Sequence, residues 1–171
     1  MTISVAFAVL ALSSCSPAAL PGTALGAYNT TGTLESNSCG MGLGAPSPWT
    51  FTVQMSEDGT TLYWEMSDGI LLSSTMSSPT QVNIESVQTA NVDASEAGVP
   101  GPCDLTGTTA IELTLASEMP PSTFTGTITY TFAAATGVSS MTDCTDQLSS
   151  SGGAYDTLPC TAVYSVAGTR Q

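Results

Sequence analysis

Residues 123–132 carry the stretch that decides the fold, Thr-Phe-Thr-Gly-Thr-Ile-Thr-Tyr-Thr-Phe. Threonine occupies every odd position, whereas Phe, Gly, Ile and Tyr share the even positions. Successive side chains of a β-strand point to opposite faces, so this alternation predicts a strand with one apolar face and one polar face. Threonine has a high β propensity and tolerates water, so the polar face is typical of a solvent-facing sheet surface.

The same period of two recurs from Ala27 to the end of the chain. Asp58-Gly59 and Asp68-Gly69 supply the residues of tight turns, because glycine adopts a positive φ at little cost. No convincing helical pattern occurs after residues 1–14. The alternation predicts about eight strands, over residues 27–39, 49–55, 62–67, 70–76, 81–92, 105–115, 123–132 and 161–169.

These strands define a single all-β domain over residues 27–171. The short early hairpins favour an antiparallel meander that closes into a β-barrel of about eight strands, wide enough for side chains or one small ligand. A two-sheet β-sandwich fits the same pattern and remains the alternative.

An apolar run over residues 3–12 precedes the sequence Leu12-Ser13-Ser14-Cys15. The run is too short to span a bilayer, which takes about 20 residues. Small residues before the cysteine let a signal peptidase approach the backbone. The order Leu-Ser-Ser-Cys resembles the lipobox of bacterial lipoproteins, in which the chain is cut before the cysteine and its thiol and amine receive lipid. The alternative is an ordinary signal peptide that is cut elsewhere, with Cys15 incidental.

The lipobox resemblance implies an organisation for the whole chain. Residues 1–14 are the signal peptide, residues 15–26 are the lipidated Cys15 with a Pro- and Gly-containing tether, and the β domain follows. The protein is then exported and held in a bacterial cell envelope, with the membrane as its partner through Cys15. By the same resemblance, Ser16 in place of Asp after the cysteine implies the outer membrane of a Gram-negative host.

The chain contains five cysteines, an odd number for an exported protein. Setting Cys15 aside as lipidated leaves Cys39, Cys103, Cys144 and Cys160, which predict two disulfides. Four cysteines allow three pairings. We expect Cys144–Cys160, across the loop before the last strand, and Cys39–Cys103, between two loops rich in Gly and Pro. Metal binding by these cysteines is disfavoured because no C-x-x-C spacing occurs.

The charge balance excludes several classes of function. The sequence has 14 acidic residues, one arginine, and no lysine or histidine. Such a chain repels phosphate backbones, so we expect no nucleic-acid partner. The absence of His and Lys removes Ser-His-Asp and Cys-His machinery, imidazole bases and Schiff bases. We therefore expect a non-enzymatic protein without a cofactor, and a carboxylate hydrolase using Glu65 and Glu112 is the remaining enzymatic alternative.

A non-enzymatic barrel of this size is most simply a binding module for a small ligand or a surface partner. A structural or adhesive surface lipoprotein is the alternative. The side chains expected to line a ligand cavity share large aromatic rings at inward-facing strand positions; they are Trp49, Phe51, Trp64, Phe124 and Tyr130.

Three acids, Asp143, Asp146 and Asp156, lie in or beside the long loop before the last strand. Carboxylate oxygens are ligands for Ca²⁺. Their spacing matches no known calcium loop, so we expect a solvated acidic loop and no metal site.

Two short features resemble the lipocalins. That family has Gly-x-Trp near the start of strand one and a basic residue at the end of the last strand, which packs across it and closes the barrel. Gly26-Ala27-Tyr28 and Arg170 are similar in position, with Tyr in place of Trp. The resemblance implies a lipocalin-like barrel in which Arg170 lies across the first strand.

Overall fold

Antiparallel strands make up about two thirds of the described residues. The computed structural model describes residues 19–93, 102–135, 148–149 and 154–171. The prediction of an eight-strand all-β domain is confirmed. The strands are β1 (Thr23–Asn37), β2 (Trp49–Asp58), β3 (Thr61–Met66), β4 (Leu71–Thr75), β5 (Gln81–Asp93), β6 (Pro102–Leu115), β7 (Thr123–Ala134) and β8 (Cys160–Arg170), with one short 3-10 helix, Met41–Leu43.

The eight strands form one sheet that curls into a nearly closed barrel. Their order is β4-β3-β2-β1-β8-β7-β6-β5, and every pair in it is antiparallel. Pairing of β1 with β8 joins the two ends of the chain, as a barrel requires. The single sheet establishes the barrel rather than the β-sandwich.

A seam between β4 and β5 interrupts the barrel. Among the described residues the two strands share no regular ladder, although the Ser74 hydroxyl donates a hydrogen bond to the Asn83 carbonyl. The strand β4 has 5 residues and β5 has 13. The later part of β5 therefore extends past β4, and among the described residues it has no strand partner on that side.

Because consecutive strands run in opposite directions, they end alternately at the two ends of the barrel. The end where β1 begins and β8 finishes has the short turns at residues 59–60, 76–80 and 116–122, and we call it the closed end. The opposite end, which we call the mouth, has the connections at residues 38–48 and 67–70, and the strands that flank residues 94–101 and 135–159 end or begin there. Long connections are where binding residues concentrate in many folds, so the mouth is the end to search for a site.

The closed end is filled by large side chains. Phe124 contacts the rings of Tyr28 and Trp64, each with ring centroids 5.5 Å apart. Gly168 makes room for Phe124, since a Cβ at residue 168 would lie 2.1 Å from its ring. The Tyr28 hydroxyl donates to the Pro121 carbonyl at 2.7 Å, which ties the 116–122 turn to the core.

Strand β1 begins at Thr23, earlier than the alternation from Ala27 predicts. A bulge at Gly26, whose φ is +126°, lets the chain continue the ladder with β2 past this point. Arg170 lies opposite Tyr28 in the β1–β8 register, and its aliphatic chain packs against Gly26. Its Nη1 donates to the Pro120 carbonyl at 3.0 Å, so the only arginine of the sequence is at the closed end.

A disulfide joins Cys39 to Cys160. The predicted pairs Cys39–Cys103 and Cys144–Cys160 are therefore wrong, because each uses one of these two cysteines. The cause is the register of β1 and β8, in which Asn37 pairs with Ala162 and the two cysteines follow directly opposite each other. The side chain of Cys103 and the whole of Cys144 lie outside the described residues.

Candidate functional site

The mouth contains an open groove of about 220 Å³, which we call the mouth groove. One wall is the loop over residues 43–46, and the other is formed by inward-facing side chains of β2, β7 and β8. The Cys39–Cys160 bond fixes the start of that loop to the start of β8, so the wall is attached covalently to the barrel. The inward-facing rings are those of Trp49, Tyr130, Phe132 and Tyr164.

A second cavity, of about 260 Å³, adjoins the first at the seam. Met66, Ile70 and Leu72 form one side, while Ser86 and Gln88 of β5 lie on the other. Tyr130 and Phe132 line both cavities, so the two are neighbours across these rings. This cavity is where β5 extends past β4, which makes it a direct consequence of the unequal strand lengths.

Three rings of the mouth groove are steeply inclined to one another. Trp49 lies 5.3 Å from Tyr164 at 61° and 6.4 Å from Tyr130 at 56°. The two tyrosines lie 6.4 Å apart at 86°. Phe51 supports Trp49 from the next inward position of β2, stacked at 4.1 Å. The rings therefore pack against one another edge to face, and Tyr164 is buried at 3% exposure beneath the other two.

The two tyrosines of the mouth groove, Tyr130 and Tyr164, are uncharged at neutral pH, and Asp68 is the acidic residue that acts on Tyr130. Burial raises the pKa of Tyr130 to about 12, with smaller contributions from Tyr164 and from Asp68 in the β3–β4 turn. Burial also raises the pKa of Tyr164. Both hydroxyls thus stay protonated at neutral pH. Asp68 lies in sequence between Met66 and Ile70, which both line the second cavity.

Two exposed apolar side chains lie in the connections at the mouth. Five large hydrophobic residues are exposed in the described parts of the chain, and Met119 belongs to the closed end. Met41 at 94% exposure and Ile70 at 45% lie in connections at the mouth, whereas Leu71 at 49% and Val87 at 58% alternate with inward-facing residues and point outward from β4 and β5. Burying such groups against a ligand or partner is favourable, since it removes apolar surface from water.

The five residues predicted to line a ligand cavity divide between the two ends. Trp49 and Tyr130 line the mouth groove, and Phe51 lies half-buried behind Trp49. Trp64 and Phe124 are at 0% and 2% exposure in the core of the closed end. The interior of the closed end is therefore packed around these two rings, and the cavity of about 360 Å³ at that end lies at its surface, beside Leu25, Glu57 and Met119.

Two groove residues were missing from the predicted set, Phe132 and Tyr164. Phe132 belongs to the apolar face of the opening stretch, and Tyr164 lies on the buried face of β8 with Ala162 and Val166. The alternation of residues 160–168 was the signal for Tyr164, because it assigns every even position to the interior.

The predicted acidic groups do not converge in the described structure. Asp156 is exposed, and its backbone N–H donates to the Cys39 carbonyl at 2.9 Å. Asp143 and Asp146 lie outside the described residues. In the part of the chain that the structure describes, no three His, Cys, Asp or Glu side chains gather as a metal site would need. Glu65 is on β3 and Glu112 on β6, with β4 and β5 between them.

Comparisons with known proteins add no relative: no protein-family model, curated protein or solved structure matches the chain. In the described ranges, no helix has the length and apolar content needed to cross a bilayer.

Proposed function

We propose that this protein is an exported, lipid-anchored β-barrel that binds a small, largely apolar ligand in the mouth groove without transforming it. One observation carries the proposal: the half-buried rings of Trp49, Tyr130 and Phe132 line an open groove at the mouth, and the exposed side chains of Met41 and Ile70 lie in the connections at that end.

The size of the site fits a compact ligand. Small-molecule pockets span roughly 300–1,000 Å³ and are mainly apolar with a few polar groups. Each cavity at the mouth is just below that range, and the two adjoin at Tyr130 and Phe132. Ser86, Gln88 and the Tyr130 hydroxyl supply the polar groups. Because Trp64 and Phe124 fill the closed end, the ligand would lie in the mouth rather than deep inside.

Binding of a neutral apolar dye tests the site. N-phenyl-1-naphthylamine should bind and gain fluorescence, and Trp49→Ala should weaken its binding about tenfold, since a buried aromatic contact is worth 1 kcal/mol or more. Met119→Ala, which removes an exposed apolar side chain at the closed end, is the matched control and should bind as the parent protein does. Equal binding by the parent and Trp49→Ala proteins would place the dye elsewhere and end the proposal.

The lipid anchor is inferred from the lipobox resemblance, and the start of strand β1 indicates which end of the barrel it would hold near the membrane. Strand β1 starts at the closed end, and the Ser56 hydroxyl donates to the Pro21 carbonyl at 2.6 Å. Residues 15 to 19 can span at most about 14 Å. A lipid on Cys15 would hold the closed end near the membrane, so the mouth would face away from the membrane and toward its ligand.

Intact mass after expression in a Gram-negative host tests the anchor. The parent protein should lose residues 1–14, gain the mass of a diacylglycerol and an acyl chain, and partition with membranes. Ser16→Ala should behave in the same way, whereas Cys15→Ala should lose both the lipid mass and the partitioning. An acylated Cys15→Ala protein would refute the lipobox interpretation.

A structural or adhesive surface module is the second candidate, supported by the packed closed end and the disulfide. On that alternative the exposed side chains of Met41 and Ile70 contact another surface, and the mouth groove binds no ligand. Failure of the dye to bind the parent protein at any concentration up to its solubility would favour this candidate.

A further inference from the structure

Half of the main-chain groups of β5 point away from β6, toward the seam. The Leu115 N–H donates to the Thr80 carbonyl at 2.8 Å, and continuing this register gives every even residue of β5 its main-chain hydrogen bonds to β6. The N–H and carbonyl groups of the odd residues therefore face the β4 side. Early in β5 a side chain meets them, since the Ser74 hydroxyl donates to the Asn83 carbonyl.

The later part of β5 has an open strand edge. Among the described residues, four odd residues of β5 have main-chain groups without a hydrogen-bond partner on the β4 side: Glu85, Val87, Thr89 and Asn91. We call residues 85–91 the β5 edge. The edge contains no proline and its register with β6 is continuous, although proteins commonly protect exposed edges with proline or a bulge. Gln88 and Ala90 take inward positions but are exposed, so the edge is accessible from both faces.

The second cavity adjoins the β5 edge on its inward side. Ser86 and Gln88 border this cavity, and Ile70 and Leu72 lie across it. An extended chain that follows the edge would direct alternate side chains inward and outward. An inward side chain would meet the apolar groups of Ile70, Leu72 and Tyr130, so a large apolar residue is favoured at that position.

The outward face beside the β5 edge favours basic residues. Glu85 points outward, and Glu112 is its diagonal neighbour on β6, because Asn83 pairs with Glu112. Asp68 lies in the β3–β4 turn, which borders the second cavity. The sequence has no lysine or histidine, and its one arginine, Arg170, is at the closed end. Pairing of two β5 edges from two copies is disfavoured, since each copy has a formal net charge of −13.

From the open edge, the adjoining cavity and these acids we infer that the β5 edge binds an extended peptide as an added antiparallel strand. The peptide has a large apolar side chain in the second cavity and basic residues on the outward face. Main-chain hydrogen bonds supply affinity in this mode of recognition, and pockets for alternate side chains supply specificity. The inference goes beyond the proposed function, because it needs neither the mouth groove nor a small ligand.

Amide hydrogen exchange of the full-length protein tests whether the edge is open. The amides of Ser86 and Gln88, which bond to β6, should exchange slowly, whereas those of Val87 and Thr89 should exchange about tenfold faster or more. Equal protection of all four amides in the free protein would mean that the chain itself pairs with this edge, and the inference would be overturned.

A synthetic peptide tests strand addition. The capped peptide Thr-Val-Lys-Leu-Lys-Val-Thr places its leucine inward and both lysines outward when it is extended. In an antiparallel ladder the main-chain N–H groups of the lysines then face β5, and that of the leucine faces away. The peptide should bind and slow the exchange of the Val87 and Thr89 amides. N-methylation of both lysine main-chain nitrogens should abolish binding, whereas N-methylation at the leucine should preserve it. Failure of the unmodified peptide to bind, or binding that survives both methylations, would overturn the inference.

A proline substitution tests the edge from the side of the protein. Val87→Pro removes an N–H that belongs to the β5 edge and not to the β6 ladder, so the strand should persist. Peptide affinity should fall about tenfold. Val87→Ala, which keeps the N–H, is the matched control and should bind the peptide almost as the parent protein does. Equal peptide affinity of these two variants would contradict strand addition, and urea unfolding of both checks that the proline variant is folded.

A charge substitution tests the preference for basic residues and does not depend on the proline variant. Glu85→Gln should weaken peptide binding about twofold, and the loss should shrink as salt is added. Asp58→Asn at the closed end is the matched control and should leave peptide binding unaltered. Equal effects of the two substitutions would remove the basic residues from the inference. The naphthylamine dye is measured separately, so loss of peptide binding with retained dye binding overturns this inference alone, and the reverse result overturns the proposed function alone.

Discussion

The two ends of this barrel are built from the same residue types yet differ in how they are held together. At the closed end Tyr28, Trp64 and Phe124 interlock and are almost fully buried. At the mouth Trp49, Tyr130 and Phe132 are only half-buried around a groove. Aromatic side chains thus pack the interior at the closed end, whereas at the mouth they line a groove.

The mouth compensates with a covalent bond for packing that it lacks. Beside the Cys39–Cys160 disulfide lies a small second cluster of Leu105, Leu148 and Leu158, separate from the main core. Among the described residues the closed end has no cysteine, and it relies on packing and on hydrogen bonds to Pro120 and Pro121. We expect the two ends to respond differently to the following changes, which are ordered from the largest effect to the smallest.

Removal of the disulfide should have the largest effect. The bond closes a loop of 121 residues in sequence separation, for which chain-entropy arguments give about 4–5 kcal/mol. The Cys39→Ala/Cys160→Ala double variant should lose about that much unfolding free energy in urea denaturation. In single-tryptophan backgrounds, the emission of Trp49 at the mouth should shift to longer wavelength under native conditions, while that of Trp64 should not. Equal shifts in the emission of both tryptophans would mean that the disulfide maintains the packing of both ends and not of the mouth alone.

Alanine substitution on one strand compares the ends directly. Phe124 and Phe132 lie on the same face of β7, eight residues apart, at the closed end and the mouth. Phe124→Ala should cost about 4 kcal/mol because it leaves a cavity between Tyr28 and Trp64. Phe132→Ala should cost about 1–2 kcal/mol, since its ring is already partly in water. Comparable losses in urea denaturation would contradict the contrast between a packed end and an open one.

The strands could be predicted from sequence because alternation is a local property. Threonine at every odd position of the opening stretch assigns β7 its two faces, and the structure extends it only to Ala134. The same rule assigns Trp49 and Tyr130 to the interior. It could not separate them from Trp64 and Phe124, because depth along the barrel depends on the stagger of neighbouring strands and not on the period of one strand.

The disulfide depends on the pairing of two strands distant in sequence, and the seam depends on the relative lengths of two consecutive strands. Cys39 meets Cys160 only because β1 and β8 pair with Asn37 opposite Ala162, and no spacing within either segment reveals that register. The second cavity exists because β4 is shorter than β5, and its lining at Leu72 and Gln88 follows from that difference. Sequence therefore predicts which face a residue takes, and the long-range register decides which residues meet.

Alkaline titration should distinguish the tyrosines of the two ends. Burial raises the pKa of Tyr130 to about 12, so the folded protein keeps this proton while the unfolded chain releases it from about pH 10. Unfolding then becomes easier as pH rises from 10 to 12, and the contribution is fully present below pH 10. Tyr130→Phe should therefore retain about 2 kcal/mol more of its pH 9 stability at pH 12 than the parent does.

Tyr28→Phe is the comparison at the closed end. Burial also raises the pKa of Tyr28, but Arg170 acts in the opposite direction. The gain in alkaline stability should therefore be smaller than for Tyr130→Phe when both are measured by urea denaturation at pH 9 and pH 12. A larger gain for Tyr28→Phe would show that the closed end excludes charge more strongly than the mouth.

The smallest effect tests whether packing at the closed end is complete. Among the described residues, the buried Thr30 hydroxyl and the Trp64 indole nitrogen have no hydrogen-bond partner. A buried polar atom without a partner costs about 1–3 kcal/mol, and valine has nearly the shape of threonine. Thr30→Val should therefore raise the unfolding free energy by about 1 kcal/mol, whereas Thr109→Val in the half-buried wall at the mouth should change it by less than about 0.5 kcal/mol. Loss of stability in Thr30→Val would show that its hydroxyl is satisfied in solution, and the closed end would then be a polar-stabilised core rather than a purely apolar one.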